Sequence, residues 1–205
     1  MSPALELAAF AGLMAIGQFS PGPDWLLVTR TALSEGTGNG VRTAAGIATG
    51  LVFHVGLAVG GLAGIFRTEA AWGKAVACLG AAYLLWMVVG LLRHAGEIPE
   101  LGEIRSRGEA YLRGFLTNLL NPKVVLFVVA TTSPFLAGDH PRWWPWAIGG
   151  IVIAQGFLLW CLWAWLLQWP PVKQGYRRAA KWIDRVFAGL LVILAVVLVL
   201  ECVAI

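Results

Sequence analysis

The sequence has 205 residues, of which 59% are hydrophobic and 13% charged, and its formal net charge is +4. An ordinary soluble domain is about half apolar and a quarter charged, and the mean hydropathy of +0.75 excludes that class of protein. The length accommodates six membrane spans of roughly 20 residues and leaves no room for an extramembrane domain.

Long apolar runs divide the chain into six predicted transmembrane helices. Runs with almost no charge are typical of membrane spans. The predicted spans are residues 6–29, 43–66, 75–92, 114–136, 143–168 and 186–205. We therefore predict an all-α membrane protein with a single transmembrane domain over residues 1–205 and a cytoplasmic linker over residues 93–113.

The positions of Lys and Arg predict the orientation of these spans. Eleven of these residues lie in the first, third and fifth loops, and three lie in the second and fourth. Because basic residues concentrate on the cytoplasmic side, we expect the odd-numbered loops in the cytoplasm and both termini outside. We therefore attribute the excess of basic residues to membrane topology and not to nucleic acid binding.

Two helix-breaking motifs indicate an internal repeat. Residues 20–24 read Ser-Pro-Gly-Pro-Asp and residues 118–123 read Asn-Leu-Leu-Asn-Pro-Lys, each in the first span of a three-span half. Proline removes an amide donor and clashes with the preceding turn, so both helices should be interrupted. The alternative for the first motif is a simple kink or helix end. The predicted helix-break residues are Ser20, Pro21, Gly22, Pro23 and Pro122.

The repeat is predicted to be inverted. Because each half has three spans, the second half would cross the membrane in the opposite sense to the first. Paired breaks in corresponding spans of inverted halves are typical of the central site of a transporter.

Asp24 and Lys123 are charged residues predicted at membrane depth. At 1.5 Å per residue, Asp24 lies ~9 Å and Lys123 ~3 Å to the cytoplasmic side of the middle of their spans. Such a charge costs about 2.5 to 3.5 kcal/mol on insertion scales and usually faces a bundle interior with a partner. We predict a switchable ion pair, in which a proton or a charged substrate group competes for one partner. Alternatively, Lys123 snorkels to the cytoplasmic face and Asp24 is exposed at the end of a shorter first span.

The second span carries Gly46, Gly50 and His54 at four-residue spacing. This spacing predicts that both glycines and the imidazole share one helix face, where a neighbouring helix can approach closely. Histidine in general titrates near neutrality, so His54 could couple protons, or it could remain neutral and hydrogen-bond across the interface. Small residues continue along this face and are predicted to pack: Gly56, Gly60 and Gly64.

Other polar residues complete the set of candidates. Asn118 and Asn121 flank the second break, and Gln155 lies near the middle of the fifth span, where it could bind a substrate or join two helices. Cys78, Cys161 and Cys202 stand alone in apolar runs, so we expect no metal, redox centre or cofactor. Signatures of soluble enzymes are missing, and we expect a protein that is not an enzyme.

With these motifs the sequence resembles the LysE/RhtB family of bacterial amino-acid exporters. The resemblance rests on residues 20–24, on residues 46–50 with His54, and on residues 114–123. It covers essentially the whole chain, although the third, fifth and sixth spans contribute hydropathy alone.

The resemblance implies a secondary active exporter in the bacterial inner membrane, and the distribution of Lys and Arg then places both termini in the periplasm. It would export amino acids or close derivatives by alternating access, driven by protons. Asp24 would suit the ammonium group of the substrate and Lys123 its carboxylate. Besides the amino acid, the implied partners are protons and the lipid bilayer. An exporter of another small metabolite and a scaffold without transport activity are the alternatives. A glycine face could support a homodimer or be used in packing within the bundle.

Overall fold

The computed structural model describes residues 2–19, 22–62, 107–137 and 139–204, together with residues 82, 85, 86, 88–90, 92 and 93. Its described elements are all helical, which confirms the predicted all-α class. Contacts divide the chain into two units. One unit comprises Met1–Ala63 and Glu100–Trp169, and the other comprises Gly64–Pro99 and Pro170–Ile205.

The helices that the structure describes are numbered here in chain order. Those of the first unit are α1 (Pro3–Gln18), α2 (Pro23–Glu35), α3 (Thr37–Leu57) with a π-helical turn (Ala58–Leu62), α4 (Arg107–Leu119), α5 (Pro122–Leu136) and α6 (Trp144–Leu166). The second unit contains α7 (Pro170–Ala204).

Both predicted helix breaks are confirmed. The pair α1 and α2 is bent by 66°, and the pair α4 and α5 by 60°. After each break the helix restarts with proline, Pro23 in α2 and Pro122 in α5. Proline is favoured there because an amide in the first turn has no acceptor within the helix. Ser20 and Pro21 lie outside the described residues, and the inverted repeat of six spans stays a prediction.

Four of the six predicted spans correspond to described helices that are long and apolar enough to cross a membrane, when each bent pair is taken as one span. Thr37–Gly60 and Trp144–Leu166 are each long and apolar enough to cross a membrane, and each bent pair satisfies the same criterion as one span. The helices reach beyond the predicted ends, because α2 continues to Glu35 and α4 begins at Arg107. Hydropathy detects only the apolar part of such helices, whose polar ends extend past it. The third predicted span, 75–92, lies mostly outside the described residues.

The prediction of a loop between the fifth and sixth spans is wrong. Residues 170–185 are helical and continue into the last predicted span as one helix, Pro170–Ala204. Hydropathy places this segment outside the apolar runs, but its Lys and Arg residues are good helix formers. Pro170 and Pro171 stand in the first turn, where proline is tolerated.

Helices α3 and α4 meet at glycines, as the spacing of Gly46 and Gly50 predicts. A Cβ on Gly46 would overlap the Tyr111 carbonyl oxygen, and one on Gly114 would overlap the Thr43 carbonyl oxygen. The Thr43 hydroxyl donates to the carbonyl of Ala110 at 3.3 Å. The two backbones are therefore in direct contact, which only glycine permits at these two positions.

The glycines further along this segment behave differently. Gly56 and Gly60 have no described atom within 4 Å of the position of a Cβ, and both residues are exposed. Their predicted packing role is thus not observed in the described part of the chain, and Gly64 lies outside it. The homodimer stays a prediction.

Two glutamines join α1 to α6. Gln18 of α1 donates through Nε2 to the carbonyl of Val152 at 2.7 Å, and Gln155 of α6 donates through Nε2 to the carbonyl of Ala11 at 3.0 Å. A buried apolar cluster packs around this contact, with Phe10, Met14, Leu51, Val55, Val128, Trp144, Ile148 and Val152 among its members.

Alanine at Gly46 or Gly114 is expected to destabilise the protein by about 1–3 kcal/mol, because the added methyl group overlaps the facing helix. The matched control is Gly56→Ala in the same helix, where the Cβ position is open. This variant should not lower stability, since alanine favours helix over glycine. Melting temperatures of the purified proteins in detergent test this. A Gly46→Ala variant that melts with the wild type would contradict the backbone contact.

Candidate functional site

Asp24 is a buried carboxylate in the first turn of α2. The residue is 7% exposed, and a buried carboxylate is costly unless hydrogen bonds satisfy it. Two side-chain amides provide them: Asn118 Nδ2 donates to Oδ2 at 2.6 Å, and Asn121 Nδ2 donates to Oδ1 at 3.3 Å. Both asparagines come from the second broken pair. The motif of one half therefore binds the motif of the other.

Asn121 also caps helix α5. Its Oδ1 accepts a hydrogen bond from the backbone N–H of Lys123 at 3.1 Å, which is a common role for asparagine before the first helical turn. One side chain thus fixes the start of α5 and contacts the Asp24 carboxylate. The predicted site residues Asp24, Asn118 and Asn121 are brought together at this point.

The helices after the two breaks begin in the same way but with opposite charges. Proline is the first residue and a charged residue the second, Pro23-Asp24 in α2 and Pro122-Lys123 in α5. A helix N-terminus carries partial positive charge, which favours an acidic residue and disfavours a basic one. A nearby anion therefore stabilises the positive charge of Lys123, and Lys123 interacts electrostatically with Asp24.

The side chain of Lys123 crosses Gly22 at the first break. A Cβ on Gly22 would lie 3.1 Å from Lys123 Nζ and 3.3 Å from its Cδ, so a larger residue would press against the lysine. Lys123 and Asp24 line the same cavity, which favours the predicted pairing over snorkelling of Lys123. Competition by a proton or a substrate for one of the two partners stays a prediction.

His54 is buried at the contact of α3 with α4. Its Nε2 lies 3.0 Å from the Asn118 carbonyl oxygen, and because a carbonyl only accepts, Nε2 carries the proton. Among the described residues, Nδ1 has no hydrogen-bond partner. A Cβ on Gly50 would lie 2.5 Å from Asn118 Oδ1, so the predicted face of Gly46, Gly50 and His54 is confirmed. His54 thus hydrogen-bonds to the backbone of Asn118, and the side chain of Asn118 hydrogen-bonds to Asp24.

A cavity of about 30 Å³ lies beside Asp24, with room for a few water molecules. Its polar lining comes from both broken pairs and consists of Gln18, Asp24, Asn118, Asn121 and Lys123. Its apolar lining includes Trp25, Leu51, Val124, Phe127, Val128 and Trp160. Within the described part of the chain, no three His, Cys, Asp or Glu side chains lie close enough together to hold a metal ion.

Of the two glutamines, Gln18 lines this cavity and Gln155 does not. The structure places Gln155 between α6 and α1, in the helix-joining role that the sequence left open. Sequence reasoning missed Gln18. The available signal was a polar residue in an apolar run, two residues before the first break motif.

Comparisons with known proteins agree with the motifs. Residues 15–202 match the sequence profile of the family LysE type translocator. The threonine efflux protein of Escherichia coli (strain K12) is 32% identical over 86% of this chain and 88% of its own. The uncharacterized membrane protein YahN of the same strain is 30% identical over 98% of this chain and 92% of its own.

The homoserine/homoserine lactone efflux protein of Salmonella typhimurium (strain LT2) is 32% identical over 60% of this chain and 61% of its own. No solved structure matches. Because the family profile spans nearly the whole sequence and includes both helix breaks, this protein belongs to the LysE type translocator family.

Proposed function

We propose that this protein is a secondary active exporter of amino acids or close derivatives in the bacterial inner membrane. The observation that carries the proposal is that one acid and one base, Asp24 and Lys123, line the same cavity between two broken helices. Related proteins named for threonine efflux and for homoserine efflux support an amino acid as the substrate.

The two charges match the two charges that all α-amino acids share. The Asp24 carboxylate suits the ammonium group, and the Lys123 ammonium suits the carboxylate. The N-termini of α2 and α5 also favour an anion at this depth, because the first amides of a helix have no acceptor within it. A bound zwitterion would thus make one contact to Asp24 and one to Lys123, in place of the electrostatic interaction between these two residues.

Protons would drive export by competing for Asp24. A protonated Asp24 no longer attracts the ammonium group, so proton binding from outside would favour release of the substrate there. Alternating access would occur about the two breaks, as in other transporters with discontinuous helices at the midplane. The positions of Lys and Arg support both termini in the periplasm.

The test of this function is an efflux profile. Cells with and without the protein are fed dipeptides, and every amino acid in the medium is quantified over time. Faster release of one group of amino acids in cells with the protein is the expected result. No difference for any amino acid, with the protein verified in the membrane, would overturn the proposal. It would point to another metabolite or to a scaffold.

Neutralising Asp24 or Lys123 is expected to lower export at least about tenfold, because truncating one partner of a buried charge pair costs about 2–5 kcal/mol. The variants are Asp24→Asn and Lys123→Gln. Asp139→Asn and Lys181→Gln neutralise exposed residues and serve as matched controls. Initial efflux rates are compared after normalising to membrane abundance. Full efflux in both Asp24→Asn and Lys123→Gln would exclude a role of the pair in transport.

His54 is expected to position Asn118 and not to carry the coupled proton. His54→Gln keeps a donor for the Asn118 carbonyl and should retain at least about a third of proton-driven export. His54→Leu removes this donor and leaves the carbonyl with the backbone N–H of Asn121 as its donor among the described residues, at a cost of about 0.5–1.5 kcal/mol. Export is measured in vesicles with and without an imposed pH gradient. If His54→Gln exported equally fast with and without the gradient, His54 would be part of the proton path.

A further inference from the structure

Gln18 and Gln155 form a reciprocal pair of contacts between α1 and α6. Each donates its amide N–H to a backbone carbonyl of the other helix, at 2.7 Å for Gln18 and 3.0 Å for Gln155. These bonds fix the orientation of each amide, because only the nitrogen can donate to a carbonyl. The position of each Oε1 atom is therefore determined by the fold.

In both glutamines Oε1 is buried and has no hydrogen-bond partner among the described residues. A buried acceptor without a donor is destabilising. Because the fold holds each of these acceptors in place, it is suited to a hydrogen-bond donor on a molecule that binds to the protein. Only Gln18 lines the cavity. The two residues are thus alike in structure and differ in access to the site.

Most of the other polar groups of the cavity already have counterparts. Both oxygens of Asp24 accept hydrogen bonds from asparagine amides, and its negative charge suits a cation. Lys123 suits an anion, and Asn121 Oδ1 caps α5. Two uncharged acceptors of the lining have no donor among the described residues, Gln18 Oε1 and Asn118 Oδ1. Asn118 Oδ1 lies 2.5 Å from the position of a Cβ on Gly50 and so faces α3, which leaves Gln18 Oε1 as the acceptor suited to an uncharged donor in the cavity. The rest of the lining, including Trp25, Phe127 and Trp160, is apolar.

We propose that Gln18 Oε1 accepts a hydrogen bond from the side chain of the transported amino acid and makes the exporter select substrates with a hydroxyl group. The inference rests on the proposed function and adds a specificity-determining residue to it. A site built to bind a hydroxyl group rejects the shape-matched analogue without one, because that analogue leaves the buried acceptor unpaired.

The experiment compares release of hydroxylated amino acids with release of their apolar counterparts. Cells are fed dipeptides that supply threonine and valine, serine and alanine, or tyrosine and phenylalanine, and release by cells without the protein is subtracted. The wild type should favour the hydroxylated member. In Gln18→Met this preference should fall about tenfold, through faster relative release of the apolar member. The ratio is taken within the same cells and so does not depend on protein abundance.

Gln155→Met is the matched control, because it loses the equivalent hydrogen bond between α1 and α6 without altering the cavity lining. Its preference should equal that of the wild type. An equal loss of the preference for hydroxylated amino acids in both variants would mean that Gln18 acts through helix packing. An unchanged ratio in Gln18→Met would mean that the Gln18 oxygen binds water only. Either result overturns the proposal. Gln18→Ala is a second variant with the same expectation as Gln18→Met.

The wild type alone also tests the proposal. If it exports amino acids but does not favour the hydroxylated members, the role of Gln18 is wrong and the proposed function stands. If it exports no amino acid, the proposed function itself fails, and the role of Gln18 fails with it. The two failures are therefore distinguishable in one experiment.

Discussion

The burial of the Asp24 carboxylate is the constraint on which the site depends. A carboxylate in an apolar bundle must be hydrogen-bonded, because an unpaired buried charge is far costlier than any single packing contact. Its partners Asn118 and Asn121 lie on either side of the second break. Satisfying one charge therefore requires that the two broken helix pairs lie side by side, with the start of α2 facing the end of α4.

The glycine contact between α3 and α4 makes this arrangement geometrically possible. Gly46 and Gly114 let the two backbones touch, and this contact places His54 within 3.0 Å of the Asn118 carbonyl. The carbonyl belongs to the last turn of α4, where backbone acceptors lose their partners within the helix. The imidazole supplies a donor there, and the Asn118 side chain is left to bind Asp24. Packing, helix termination and the buried charge thus depend on one another.

The breaks give the site its polarity. Interrupted helices present unpaired amides and carbonyls at membrane depth, and such groups are tolerated only where protein or water satisfies them. The cavity beside the breaks is lined both by charged and amide side chains and by aromatic and aliphatic side chains. Discontinuous helices can also change their angle without unfolding, which continuous helices such as α3 and α6 cannot do as easily.

The all-helical class, both helix breaks and the glycine face of α3 could be predicted from the sequence, which also indicates Asp24, Asn118, Asn121 and Lys123 as candidate site residues. These follow from local properties: apolar run length, proline geometry, four-residue spacing and the cost of charge in a membrane. Only the tertiary structure decided that asparagine amides make direct hydrogen bonds to Asp24, that Gln155 joins two helices and that Gln18 faces the cavity. It also showed that the basic segment after residue 170 is helical. The reason is physical, since two glutamines in apolar runs look alike in sequence, and both join α1 to α6. They differ only in that Gln18 lies beside the cavity and Gln155 does not.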